Sequence, residues 1–131
     1  MKRQAKIIRS SEDGKRHIAI DVQNARAILQ FLKQNKLEKK FDLICRIILE
    51  GIRNTDLYDK ENINTKCREV TAMKFKGKQN TRIYCKEQKQ NDKTLVIITS
   101  ELLPKKKNQS NRAKEINLIT KVGSYNYEIN R

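Results

Sequence analysis

Six cations in the second half of the chain are spaced so that they could meet around a phosphate. Lys74 and Lys76 lie in a segment, 70–76, whose side chains alternate in character. A period of two is that of a strand, so both lysines share a face with Val70 and Ala72, while Thr71, Met73 and Phe75 take the other. Residues 77–80, Gly-Lys-Gln-Asn, read as a turn, and Lys78 lies in it. Residues 81–86 read as the next strand, with Arg82, Tyr84 and Lys86 opposite Ile83 and Cys85. The turn brings Arg82 near the two lysines, and Lys105, Lys106 and Lys107 follow a third strand. Amines crowded among like charges have lowered pKa values, so one of them can exchange a proton with a substrate. Arginine stays charged and can neutralise a phosphate. A lysine-bearing sheet face can equally be plain solvated surface, and residue types alone leave both readings open.

The elements that must position these cations follow from the pattern of apolar residues. The chain has 131 residues, enough for one modest core. Residues 1–15 hold the apolar pair Ile7-Ile8 and an Asp13-Gly14 turn signal, so they can form a hairpin with a strand at His17–Ile20. Asp21 is placed to cap a helix over 22–33, with Val22, Ala25, Ile28, Leu29 and Leu32 as its stripe. A second helix over 37–53 carries Leu37, Phe41, Ile44, Cys45, Ile48 and Ile52, and the short link between the two predicts an antiparallel pair. Residues 54–65 read as loop. The apolar run 94–100 predicts a central strand, ended by Pro104. A C-terminal helix from Ser110 or Asn111 to Lys121 is expected to bury Ala113, Ile116, Leu118 and Ile119. Tyr125, Tyr127 and Ile129 alternate as in an edge strand.

Charge narrows the class of partner. Lys and Arg number 30 against 15 Asp and Glu, a formal net charge of +15. Residues 1–63 carry 14 basic and 9 acidic side chains and residues 64–131 carry 16 and 6, so the excess is concentrated in the second half. Such a field draws polyanions and gains affinity by releasing their counterions. With one histidine, His17, and three cysteines in no paired motif, an ordinary zinc site is close to excluded and no metal is expected. Cys45 and Cys85 fall in core patterns and read as buried small hydrophobes. Nothing resembles a membrane span or the apolar core of a leader, so the expected location is cytoplasmic, away from membranes.

The order of elements, taken with three stretches, resembles the RelE/HigB superfamily of type II toxin–antitoxin toxins. The stretches are Arg16-His-Ile-Ala-Ile-Asp21; Val70-Thr-Ala-Met-Lys-Phe-Lys76 with Thr81-Arg-Ile-Tyr84; and Thr94-Leu-Val-Ile-Ile-Thr99 with Pro104-Lys-Lys-Lys107 and Arg112-Ala-Lys-Glu-Ile116. The resemblance covers about residues 16–122 and leaves 1–15 as an extension. It implies a single RelE-like α+β domain: an N-terminal strand, a helical hairpin, an antiparallel sheet of three to four strands and a C-terminal helix. It also implies a ribosome-dependent mRNA endonuclease that needs no metal or small-molecule cofactor. Its partners would be mRNA on the ribosome and a cognate antitoxin. The chemistry would be attack of a ribose 2′-hydroxyl on the neighbouring phosphate, which needs a base, a cationic clamp and an acid. By residue type the catalytic set would be Lys74, Lys76, Arg82 and Lys106, with Lys74 or Lys76 as base. Lys78, Lys86, Lys105, Lys107 and Arg112 would hold RNA. Ser110 and Asn111 stand where some relatives carry a base-stacking aromatic. Two other readings remain beside it: a RelE-like domain that binds without cleaving, and a basic α+β nucleic-acid-binding module of another kind.

Overall fold

A mixed sheet of seven strands, in the order β3-β4-β5-β6-β2-β1-β7, runs through the middle of the molecule. The computed structural model describes residues 2–106 and 113–131. In chain order the elements are β1 (Arg3–Ser10), β2 (Arg16–Asp21), α1 (Ala25–Gln34), α2 (Glu38–Leu49) and β3 (Tyr58–Lys60). There follow β4 (Val70–Phe75), β5 (Thr81–Lys89), β6 (Leu95–Leu103), α3 (Ala113–Ser124) and β7 (Tyr127–Asn130). The architecture is α+β. The α1–α2 hairpin covers one face, where Ile28, Leu32, Phe41, Ile44 and Ile48 pack on Ile18, Met73, Ile83 and Ile97. The other face is covered by α3, whose Ile119 and Val122 pack on Ala72, Tyr84 and Ile98.

The sheet is larger than the three to four antiparallel strands expected, and it is not purely antiparallel. The meander β4-β5-β6 is antiparallel, but β2 joins β6 in parallel, as β7 joins β1. The segment set apart as an extension supplies β1, which forms the antiparallel hairpin with β2 and buries Ala5 completely. Its turn depends on Gly14, at φ +72°, a backbone angle that glycine adopts without strain. The presumed loop 54–65 contains β3, an edge strand on β4. With only three residues it is too short to show a period.

The helices are shorter than their apolar stripes. Val22 and Leu29 are about half exposed, and α1 starts only at Ala25. Helix α2 stops at Leu49 because Gly51 adopts φ +72°, with the amide of Ile52 donating to the carbonyl of Ile47, and so Ile52 is left exposed. Asp21 does not cap α1; it is fully buried at the end of β2, in register with Ala5 of β1. There it accepts from Arg3 Nε at 2.7 Å, from the Tyr127 hydroxyl at 2.6 Å and from the Asn24 amide at 3.1 Å. Ser100 lies 2.9 Å from that hydroxyl, Tyr125 donates to Glu101, and the Arg3 guanidinium stacks 4.2 Å from the Tyr125 ring.

All three cysteines are buried and unpaired, and burial pushes the Cys45 thiol up to about 12. No helix among the described residues is long and apolar enough to cross a membrane.

Candidate functional site

Three chain segments meet at the end of the sheet where β4 finishes, β5 begins and β6 finishes. Lys74 and Arg82 are direct cross-strand neighbours, and Arg82 is in turn opposite Leu103. Residues in direct register share a face, so strand alternation alone puts both cations on the α3 side. The segment after β6 then turns back over the β4–β5 hairpin. The Thr81 hydroxyl donates to the Pro104 carbonyl at 2.7 Å, and the Lys106 amide donates to the Gln79 carbonyl at 3.1 Å. That return brings Lys106 within electrostatic range of Arg82 and Lys74.

Helix α3 closes the corner with a carboxylate. Its inward face is Glu115, Ile119 and Val122, whereas Ile116 is exposed, as is Ala113. The helix is thus rotated from the face expected by its apolar residues. Burying Ile119 and Val122 against Tyr84 sets the rotation, and Glu115, one turn earlier, is carried inward with them.

The corner is buried and highly charged. Arg82 is 9% exposed, Lys106 8%, Glu115 5% and Tyr84 0%. Among the described residues, Arg82 Nε and Nη1, the Tyr84 hydroxyl and Glu115 Oε2 have no hydrogen-bond partner. Buried polar atoms are nearly always paired, and leaving one unpaired costs about 1–3 kcal/mol, so several at one place point to a ligand. Burial lowers the Lys106 pKa, Arg82 and Lys74 lower it further, and Glu61 and Glu115 oppose them. Burial also raises the Tyr84 phenol well above its ordinary value; Glu61 and Glu115 act in the same direction and Arg82 against it.

The other predicted residues sort by distance from this corner. Lys74 is half-buried and donates to the Thr55 carbonyl at 3.0 Å. Lys76 is exposed and faces Asp56 at 3.5 Å, so the lysine the fold places in the crowded site is Lys106. Lys78 and Lys105 are exposed on the hairpin turn and the β6 exit. Lys86, expected among the RNA-binding cations, is engaged within the fold. It is 7% exposed and donates to the Gly123 carbonyl at 2.7 Å, with Glu69 at 3.5 Å, so it fastens the end of α3 to the sheet. Lys107, Ser110, Asn111 and Arg112 lie outside the described residues. His17 pairs in register with Val96, at the start of β6, and so occupies the opposite end of the sheet; its Nδ1 is 2.7 Å from the Ser10 hydroxyl.

Sequence reasoning missed Tyr84, Glu115 and Glu61 as members of the site. Tyr84 was legible, being two residues beyond Arg82 on an alternating strand. Glu61 gave no signal, because its position depends on the path of a polar connection.

An open cleft of about 600 Å³ lies between the β1–β2 turn and α2, but Arg9 and Arg46 there are balanced by Asp42, Asp13 and Glu50. Among the described residues no three His, Cys, Asp or Glu side chains come together as a metal site. No family model, curated protein or solved structure matches this chain.

Proposed function

We propose that the chain is a RelE-like toxin that cleaves mRNA on the ribosome at the Arg82–Lys106 corner and is restrained by an antitoxin in the cytoplasm. One observation carries the reading: a buried guanidinium with two unpartnered N–H groups beside a buried lysine of lowered pKa. The order β2, helical hairpin, β4-β5-β6 meander and α3 supports it, being the order on which the resemblance rests. Arg82 clamps the non-bridging phosphate oxygens, and its charge offsets the extra negative charge of the phosphorane. Lys106 is the amine that exchanges a proton with the nucleotide, since a lowered pKa brings it nearer to working pH. Lys74, Lys76, Lys78 and Lys105 hold the neighbouring phosphates.

Expression without an antitoxin is expected to stop growth and to leave cuts at fixed codon positions in translated mRNA. Arg82→Ala should abolish the cuts. Intact mRNA on translating ribosomes in the presence of the wild-type protein would sink the enzymatic reading. The burial of Arg82 and Tyr84 beneath α3 favours a second reading, binding without cleavage. Ribosome or RNA association with no cuts would establish it.

A further inference from the structure

We propose that Glu115 is the residue that recognises the ribose 2′-hydroxyl and takes its proton, so that the corner accepts ribonucleotides in preference to deoxyribonucleotides. This deepens the reading above and rests on it for the cleavage step.

Among the described residues the unpartnered atoms at the corner are of three kinds: Arg82 Nε and Nη1 can only donate, a Glu115 carboxylate oxygen can only accept, and the Tyr84 hydroxyl can do either. A bare phosphate would satisfy the first and be repelled by the second. A ligand that satisfies both carries an anionic oxygen and, close by, a hydroxyl proton. A ribonucleotide has this pairing, because its 2′-hydroxyl adjoins the 3′-phosphate, and DNA lacks the hydroxyl. The position of Glu115 has a structural cause, since it lies one turn from Ile119 on the buried face of α3, which leaves it 5% exposed. A carboxylate on a face packed over apolar Ile98 and Tyr84 is costly unless it meets a donor. Lys106 lies within electrostatic range of Glu115, and Oε2 has no hydrogen-bond partner among the described residues.

The assignment fixes the direction of the proton transfers. Glu115 takes the 2′-hydroxyl proton as the 2′-oxygen forms its bond to phosphorus. Arg82 holds the non-bridging oxygens. Lys106, as the ammonium, gives a proton to the departing 5′-oxygen as the P–O5′ bond breaks. The products are a 2′,3′-cyclic phosphate and a 5′-hydroxyl, so protons and charge balance without water or a metal. The Tyr84 hydroxyl, without a partner among the described residues, is a further donor for the same phosphate.

Two measurements on the full chain test this. The first compares binding of a short RNA with the same sequence in 2′-fluoro form, which keeps the sugar shape but cannot donate. Wild type should prefer RNA by about 10-fold, the worth of one charge-assisted hydrogen bond. Glu115→Leu, whose apolar side chain suits the buried position, should lose that preference and retain binding of both. Equal binding of the two by wild type, or an unchanged preference in Glu115→Leu, would overturn the recognition role. The second measurement is cleavage on translating ribosomes by Glu115→Gln, which keeps the shape but cannot take a proton. The expected loss is about 100-fold or more, and wild-type rates would overturn the proton role. A wild-type protein that discriminates through Glu115 yet never cleaves would refute the nuclease reading and uphold the recognition role.

Discussion

Two buried polar regions lie on the α3 side of the sheet, and they differ in how completely their atoms are paired. Around Asp21 the accounts close: both carboxylate oxygens are used, Arg3 and Tyr127 donate to it, and the Tyr127 hydroxyl also meets Ser100. Around Arg82 they do not close among the described residues, although these groups are also buried. A satisfied network rigidifies the fold, and an unsatisfied one costs stability that a ligand or a bound water restores. The Asp21 network ties the two added strands, β1 and β7, to the central strands. The Arg82 corner lies at the strand ends, where the meander turns and α3 begins. By this contrast one region holds the molecule together and the other carries the unpaired groups on which the proposed function rests.

Removing the centre of the satisfied network should have the largest effect. Asp21→Ala leaves Arg3 and Tyr127 without their acceptor and is expected to cost about 3 kcal/mol in urea denaturation, as breaking a buried ion pair does. Arg82→Met should behave oppositely, with stability within about 1 kcal/mol of wild type and mRNA cleavage reduced about 100-fold or more. If Arg82→Met instead lost as much stability as Asp21→Ala, the contrast between the regions would collapse. Lys86→Met should lower stability by about 1–2 kcal/mol through the lost bond to the Gly123 carbonyl, with RNA affinity unchanged. An affinity loss matching that of Arg82→Met would return Lys86 to the RNA surface.

A pH series sharpens the comparison further. Because the folded-state pKa of Lys106 is lowered, the unfolded chain binds more protons between that value and the ordinary 10.5. Stability should therefore rise with pH across that window, and Lys106→Met should flatten the rise. The same slope in Lys106→Met as in wild type would place its origin elsewhere. The smallest effect is expected at Gly123. A Cβ there would lie 3.2 Å from both Cys67 Sγ and the Lys66 carbonyl, so Gly123→Ala should destabilise by about 1 kcal/mol despite the better helix propensity of alanine. A raised Tm would show that this contact has room to give.

Much of the corner was legible in the residues. Alternation in 70–76 and 81–86 put Lys74 and Arg82 on one face, and Pro104 followed by lysines marked the exit of β6. The stripes of α1 and α2 identified the other covered face, with Val22, Leu29 and Ile52 wrongly included. Lys86 was misread because strand alternation places it beside Arg82 and Tyr84 without showing that α3 ends above it. Glu115 was missed because Ile116 is the more apolar neighbour, and a helix with two possible inward faces is decided by what it packs against.

The sequence by itself determined the charge, the two periods and therefore which side chains share a face. Those properties are local, since a strand alternates and a helix repeats wherever it lies. Only the tertiary structure decided which cations lose their water. The return of the chain after β6 placed Lys106 beside Arg82, and the seating of α3 over Tyr84 carried Glu115 in. Burial is a property of everything that covers a residue. The electrostatics of a charged group follow its burial, and so the cationic face readable from the sequence became a buried, electrostatically coupled corner only once the chain closed over it.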